Sequence, residues 1–365
     1  MKTTCLHSHH TALGALMAPF AGFDMPISYE GIEAEHHAVR QAVGVFDVSH
    51  MGEVLIKGKQ ATEFVNLIFT GDVAPLESGK VIYGMMLNND GGVVDDLLVY
   101  KRSAEEYFLV INASNIDKDY TWICSHLDKY DVTADNQSDL WAELAIQGPH
   151  AEKTMLDVLG IDCSNLGFYT FKDITLDGNT AVVSRTGYTG EDGFELYAPA
   201  EYIIKAWERL MATGVAPCGL GCRDTLRFEA GLPLYGDELT DEITPLEAGL
   251  GMFAKVDKEG FIGRNKLVQQ KTEGLKRKVV GLEIEGRAIA RHGYEVLDAE
   301  GNTVGEITTG YHSITLERNL AMALIDAQYS ALDTDLQVQV RRKVFPAKVI
   351  KKRFYTPNYK KQTLK

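Results

Sequence analysis

The sequence predicts an α+β protein whose C-terminal part is all β, a small barrel or sandwich. Apolar residues fall at helical spacing in some stretches and in strand-like runs in others, and two of those runs are joined by a tight turn that makes them antiparallel. Beyond about residue 275 only short strands follow one another. At 365 residues, with 45% hydrophobic and 24% charged residues, the chain is long enough for two or three domains around a sizeable core.

From Gly31 to Val43, the residues Ile32, His36, Val39 and Val43 share one helical face, and Gly44 is expected to supply a left-handed stop. Residues 53–57 read as a strand, 61–69 as a helix, and 81–87 as a strand ending in Asn88-Asn89-Asp90-Gly91-Gly92. Asn, Asp and Gly accept the positive φ of tight hairpins, so 93–100 returns antiparallel to 81–87. Asp95 and Asp96 then sit on a strand. Adjacent strand side chains point to opposite faces, so only one of the two carboxylates faces a given pocket and its neighbour is expected to face solvent. A third strand at 107–112 and a helix at 114–127 complete a compact α+β unit. Residues 145–149 form a strand running into a helix at 152–159, and 181–185 and 194–198 are strands joined by the glycine-rich run 186–193. Helices follow at 202–211 and 221–231. The closing strands are expected at 279–284, 304–308, 321–325, 336–340 and 347–350.

Composition excludes several functions. No run approaches the roughly 18 apolar residues of a membrane span, and the first ten residues resemble neither a signal nor a transit peptide, so a bacterial cytoplasmic protein is expected. Five cysteines, Cys5, Cys124, Cys163, Cys218 and Cys222, include no C-x-x-C pair, which suggests buried thiols rather than disulfides or zinc. A net charge of −14 disfavours nucleic acid, but ten of the Lys and Arg residues and no acid lie in 341–365. That basic tail either aids solubility or attracts an acidic partner.

Each candidate for chemistry has a plain structural explanation beside it. Asp95-Asp96 could prepare a base or hold a metal, yet a strand splits the pair. The run from Gly187 to Glu195 lacks the Lys-Ser/Thr of a phosphate loop and carries Glu191, Asp192 and Glu195, which would repel phosphate. Glu195 could grip the amide and amino edge of a pterin by two parallel N–H bonds, or merely face solvent. Arg223 and Arg227 share a helical face, suited to ligand carboxylates or to surface ion pairs. His7, His9, His10, His36 and His37 lack ligand spacing, so no metal is expected. Cys218 and Cys222 suit packing.

The motifs together resemble the glycine cleavage system T-protein family over nearly the whole chain. They are Pro19-Phe20-Ala21-Gly22, Gly44-Val45-Phe46-Asp47-Val48-Ser49-His50-Met51-Gly52-Glu53, Gly91-Gly92-Val93-Val94-Asp95-Asp96-Leu97, Ser184-Arg185-Thr186-Gly187-Tyr188-Thr189-Gly190-Glu191-Asp192-Gly193-Phe194-Glu195 and Gly221-Cys222-Arg223-Asp224. Gly293-Tyr294-Glu295-Val296 and Val304-Gly305-Glu306-Ile307-Thr308 continue the likeness. Phe23 stands where the family has Trp, and Ser313-Ile314-Thr315-Leu316 replaces Ser-Pro-Thr-Leu. The resemblance implies a three-domain cloverleaf around a central folate cavity, with 1–52 and 137–275 as a discontinuous first domain, 53–136 as the second and 276–365 as the third. It implies Asp96 as the catalytic carboxylate, Glu195 on the pterin edge, and Arg223 and Tyr359 at the carboxylate end of folate. Met51, Tyr83, Asn112, Tyr169 and Tyr188 are implied as cavity walls, tyrosine suiting a flat pterin with its aromatic face. The implied activity is aminomethyl transfer from the dihydrolipoyl arm of H protein to tetrahydrofolate as one-carbon acceptor, with no metal, no nucleic acid and no membrane. The alternatives are a folate-linked demethylase domain, for which the flavin-binding portion is missing, and a non-enzymatic folate binder assisting iron–sulfur assembly or RNA modification.

Overall fold

Gly91 takes φ +81°, and Gly92 leaves no space for a side chain, since a Cβ there would meet the Asp241 carbonyl oxygen at 1.7 Å. The expected hairpin therefore closes, and Val93–Ser103 returns antiparallel to Lys80–Leu87 with Tyr83 opposite Leu98 and Met85 opposite Asp96. The computed structural model describes residues 1–176 and 178–357. Glu106–Ile111, Gly52–Lys57 and Thr133–Asn136 extend the hairpin into a five-stranded sheet. One face packs Val54, Ile56, Val99 and Leu109 with Phe64, Val65 and Ile68 of the Ala61–Ile68 helix and Ile123 of the Ile116–Cys124 helix. The other presents Leu55, Tyr100, Phe108 and Val110 to Phe171, Val182 and Tyr197 of a second sheet.

That second sheet has six strands in the order Phe171–Leu176, Asn179–Ser184, Gly193–Ala198, Ala142–Gln147, Gly44–Asp47 and Ala216–Pro217. Gly44–Asp47 precedes the five-stranded sheet in the chain, and the other strands follow it. Leu144, Ile146, Phe194 and Leu196 point away from the first sheet and are buried beneath helices Ala151–Asp157 and Ala200–Ala212. Burying each large side chain, Trp207 among them, contributes about 2 kcal/mol. The alternate residues, Glu143, Ala145, Glu195 and Tyr197, are thereby directed at the first sheet.

At the C-terminal end the structure chooses a barrel over a sandwich. Arg277–Ile284 pairs with both Asn319–Asp326 and Lys343–Ile350, closing a ring completed by Thr303–His312, Glu295–Leu297 and Asp335–Val340. Leu282, Val296, Ile307, Ala321, Ala323 and Val338 fill it, and closure leaves no sheet edge to protect.

The expected helices and strands are present with shifted ends, and the differences have local causes. Gly44 is no helix stop: the helix is Ile32–Gln41, and Gly44 opens a strand where a Cβ would come within 2.6 Å of Cys218 Sγ and Val39 Cγ2. The 114–127 helix keeps its α form only over Ile116–Cys124, flanked by 3₁₀ turns at Ala113–Asn115 and Leu127–Lys129. Several elements were not foreseen. His7–Ala12 is a single short helical segment, Leu16–Phe20 with Phe23–Ser28 is a small, partly buried hairpin, and Arg264–Glu273 buries only Leu267 and so has no apolar stripe to read. The short strands Gly44–Asp47, Thr133–Asn136, Phe171–Leu176, Ala216–Pro217 and Glu295–Leu297 were not expected either.

Candidate functional site

Strand alternation separates the two adjacent acids as expected, but neither faces solvent. Asp96 shares with Leu98 and Tyr100 the face turned toward the second sheet, and it is half-buried. Its Oδ2 accepts the Tyr83 hydroxyl at 2.9 Å and its Oδ1 accepts Asn112 Nδ2 at 2.9 Å. Burial, joined by the negative charge of Asp95, raises the Asp96 carboxyl to about 7 against the pull of those two bonds. A carboxyl that titrates near neutrality can both hold and release a proton. Asp95, expected on a solvated face, is 0% exposed. Its Oδ1 accepts the side-chain amides of Asn112 and Asn115, both at 2.8 Å, and its Oδ2 accepts Asn112 N at 3.0 Å. The Asn112 amide thus bridges both acids.

The facing wall comes from the six-stranded sheet. Ser184 lies opposite Glu195, and Tyr197 lies opposite Glu143. Glu195 is buried, accepts the Thr186 hydroxyl at 2.5 Å, and is raised by desolvation. Glu143 and Glu53 are buried too, and burial pushes both well above the ordinary range; the charges of Glu195 and Glu53 push Glu143 further. Among the described residues, Glu53 Oε2, Glu143 Oε2, Arg223 Nη1 and His50 Nδ1 have no hydrogen-bond partner. An unsatisfied buried polar atom costs about 1–3 kcal/mol, a cost that a polar ligand removes. His50 lies against the edges of Phe20 and Phe23, and burial together with the nearby Arg223 lowers it to about 4, so it is neutral.

Tyrosines line the space between. Tyr169 has a left-handed backbone, φ +59°, a costly conformation for a bulky residue and one concentrated at functional sites. It lies within electrostatic reach of both Glu195 and Asp96. Tyr188 donates its hydroxyl to the Pro233 carbonyl, leaving its ring as the contact surface, and the Arg223 guanidinium sits 4.8 Å from that ring. Met51 packs into the clusters of both sheets. Asp96, Tyr83, Asn112, Glu195, Arg223, Tyr169, Tyr188 and Met51 are therefore brought together, whereas Tyr359 lies outside the described residues. The partners that sequence reasoning missed are Glu53, Glu143, His50 and Asn115. For Glu143 a signal existed in the alternation of Glu143, Ala145 and Gln147 with Leu144 and Ile146, which leaves a carboxylate on the inner face.

Other candidates resolve into structure. Arg227 does not join Arg223: it is 1% exposed and binds Asp224 at 2.7 Å and Glu238 at 2.9 Å. The histidines are dispersed, His7 to Asp24, His9 to Glu208, His10 to Asp47 and His36 to Glu229. Cys218, Cys222 and Glu35 form a buried trio, but the Glu35 oxygens already accept the N–H groups of Tyr29, Gly31 and Gly219. Within the basic tail, Arg341, Arg342 and Lys343 are exposed, but Phe354 and Tyr355 are packed. Phe354 N and Tyr355 N bond the Glu229 carbonyl, and the Tyr355 ring lies 4.1 Å from the Arg40 guanidinium.

An antiparallel five-stranded sheet and a six-stranded sheet with one parallel pair face each other across buried carboxyls, tyrosines and Arg223, with a closed barrel beside them, an architecture and donor set that suit a group-transfer enzyme. The chain matches the GCVT N-terminal domain over residues 6–258 and the glycine cleavage T-protein C-terminal barrel domain over 277–356. It is 50% identical to an aminomethyltransferase of Caldanaerobacter subterraneus subsp. tengcongensis, covering 99% of this chain and 98% of that one. It is 49% identical to an aminomethyltransferase of Alkaliphilus oremlandii, covering 99% of each. The crystal structure of glycine cleavage system aminomethyltransferase T from Bartonella henselae superposes with TM-score 0.93 at 30% identity, covering 98% of this chain and 99% of that one. The chain belongs to the glycine cleavage T-protein family and is an aminomethyltransferase.

Proposed function

We propose that the chamber between the two sheets binds tetrahydrofolate and that Asp96 serves the transfer of an aminomethyl group to it from the lipoyl arm of H protein. The observation that carries this reading is a single partly accessible carboxyl, held by Tyr83 and Asn112 and titrating at about 7, opposite a buried Glu195. The chamber's chemistry suits the ligand. Glu195 matches the amide and amino edge of a pterin, Tyr83, Tyr169 and Tyr188 offer aromatic faces, and Arg223 Nη1, without a partner among the described residues, suits a carboxylate or carbonyl oxygen.

In this reading the donor carbon loses its sulfur as a thiol and becomes an iminium, N5 of tetrahydrofolate attacks it, ammonia leaves, and N10 closes the ring to 5,10-methylenetetrahydrofolate. Asp96 stabilises the cationic carbon and relocates a proton between the entering and leaving nitrogens. Tyr83 and Asn112 fix its two oxygens, so no reorientation is needed at the moment of reaction.

The same proposal divides the chain into residues 1–52 with 137–275, 53–136 and 276–365. Sheet membership supports it, because the six-stranded sheet takes strands from both sides of the five-stranded one. The named relatives are bacterial, and we place the reaction in the cytoplasm. Among the described residues no helix is long and apolar enough to cross a membrane. Tyr359 and the basic residues after 357 are proposed to meet folate and the acidic H protein. One assay decides the function: ammonia release from aminomethylated H protein that depends on added tetrahydrofolate. Folate binding without ammonia release would instead support a non-enzymatic folate binder.

A further inference from the structure

Asp119 is a buried acid that the transfer chemistry does not use. It lies on the Ile116–Cys124 helix, is 0% exposed, and neither of its oxygens has a hydrogen-bond partner among the described residues; Lys118 Nζ approaches one of them only to 3.8 Å. An ionised carboxylate in that position would be an unpaired buried charge, a state proteins avoid by taking up a proton. After burial itself, Asp95 is the group that acts on it most, through its bonding capacity and its charge. Counting lone pairs shows why the fit works. A carboxylate accepts about four hydrogen bonds. Among the described residues, Asp95 Oδ1 has two, from Asn112 and Asn115, but Oδ2 has only one, from Asn112 N. One acceptor site remains on Asp95, and a protonated Asp119 supplies the missing donor.

We infer that Asp119 is a positioning residue: as a neutral acid it donates to Asp95, keeps Asp95 anionic, and through the shared Asn112 amide fixes the orientation of Asp96 and keeps a negative charge behind it. The inference rests on the reading of Asp96 as the reacting carboxyl. Burial, followed by the bond and charge of Asp95, raises Asp119 to about 11, so it stays protonated while Asp96 titrates. The other groups facing this cluster are Tyr83 from the neighbouring strand, Tyr169 and Tyr188 from the opposite wall, and Lys118, whose ammonium is bonded to the Val94 carbonyl at 2.5 Å and to Tyr235. None of these donates to Asp119.

The test compares Asp119→Asn, which keeps an N–H donor for Asp95, with Asp119→Leu, which keeps the bulk and loses the donor. Aminomethyl transfer is measured as kcat across pH, with folate affinity measured by calorimetry. Asp119→Asn is expected to stay within about twofold of the parent with an unmoved acid limb, while Asp119→Leu loses about tenfold or more in kcat, the worth of one charge-assisted hydrogen bond. Its acid limb moves to higher pH, because Asp95 loses a donor and the Asp95–Asp96 pair holds its last proton more tightly. Asp95→Asn, which removes the charge behind Asp96, moves the limb to lower pH. Equal losses in both Asp119 variants, or an unmoved limb in Asp119→Leu, overturns the inference. Infrared difference spectra of the full chain give an arm independent of catalysis and of how well Asp119→Leu folds. One protonated-carboxyl band at about pH 8, where ordinary carboxyls are ionised, is expected to vanish in Asp119→Asn and to persist in Asp96→Asn. Persistence of every such band in Asp119→Asn refutes the protonated state. If Asp96→Asn itself transfers normally while that band behaves as expected, the failure belongs to the role given to Asp96 and not to Asp119.

Discussion

Replacing Asp96 by Asn leaves shape almost unchanged and removes one negative charge. Tyr83 at 2.9 Å and Asn112 at 2.9 Å both donate to Asp96, so the amide oxygen of Asn keeps one of these bonds and its NH₂ group opposes the other donor. The hydroxyl of Tyr83 can turn to accept, which limits the structural cost to about 1 kcal/mol. The electrostatic cost is larger. A carboxylate about 4 Å from a developing cation contributes about 4 kcal/mol at the effective dielectric of a partly buried site, or roughly three orders of magnitude in rate. Folate binding lacks that cation, so its affinity should fall by about tenfold at most. Single-turnover ammonia release from aminomethylated H protein reads the first quantity, and calorimetry with tetrahydrofolate reads the second. In the parent enzyme the rate should also fall as pH drops below about 7, where Asp96 becomes protonated, and that limb should be absent from the variant's residual activity. A kcat within about tenfold of the parent, or a loss of folate affinity that matches the loss of rate, would refute the argument that the charge acts on the transition state.

The remaining expectations concern binding, docking and stability. Glu195→Ala and Arg223→Ala should each weaken folate binding by about tenfold or more, since each removes a charged partner from a buried edge; unchanged calorimetric affinity in either removes that residue from the site. Deleting residues 358–365 should raise the KM for H protein, and a normal value assigns that part of the tail to solubility. A cut at 351 is the wrong test, because Phe354 and Tyr355 anchor to Glu229 and Arg40. Glu229 accepts Ser313 at 2.6 Å, Thr315 N at 2.9 Å, Arg40 at 3.1 Å and His36 at 3.2 Å, tying two helices to the barrel loop. Glu229→Ala strands these donors and should cost about 4 kcal/mol, which for a chain of this length lowers Tm by about 5 °C in calorimetry; a shift under about 1 °C refutes the hub.

The fold was legible where local chemistry has one solution. Asn88-Asn89-Asp90-Gly91-Gly92 between two strand-like runs can only close a hairpin, and the register follows from it. The alternation of Leu144 and Ile146 with Glu143, Ala145 and Gln147 marks a strand whose two faces meet different neighbours, here helices on one side and the other sheet on the other. What could not be read depends on distant partners. Gly44 looks like a helix stop until Cys218, far along the chain, is seen to occupy the space of its Cβ. Arg264–Glu273 is a helix that touches the core at one residue, so its sequence carries no period. The Phe23–Ser28 strand has its partner in Leu16–Phe20, and an apolar stretch that short has no distinctive pattern.

The site divides in the same way. The family resemblance, whose motifs follow one another in order along the chain, supplied Asp96, Glu195 and the tyrosines as candidates. Local strand geometry then added that Asp95 and Asp96 part company, which the structure bears out. The error was to equate the far face with solvent. An outward strand face is solvated only if nothing covers it, and here a helix beginning four residues after Asn112 covers it and brings Asn115 and Asp119 onto Asp95. That difference changes the chemistry. A solvated Asp95 would be screened and would leave its neighbour near the ordinary carboxyl range, whereas a dry Asp95 acts on Asp96 with little screening. Substituting Asp95 therefore cannot be silent: Asp95→Asn should lower the Asp96 pKa and strip the Asn112 bridge of one acceptor, so its signature is a displaced pH limb rather than the simple loss of rate produced at Asp96.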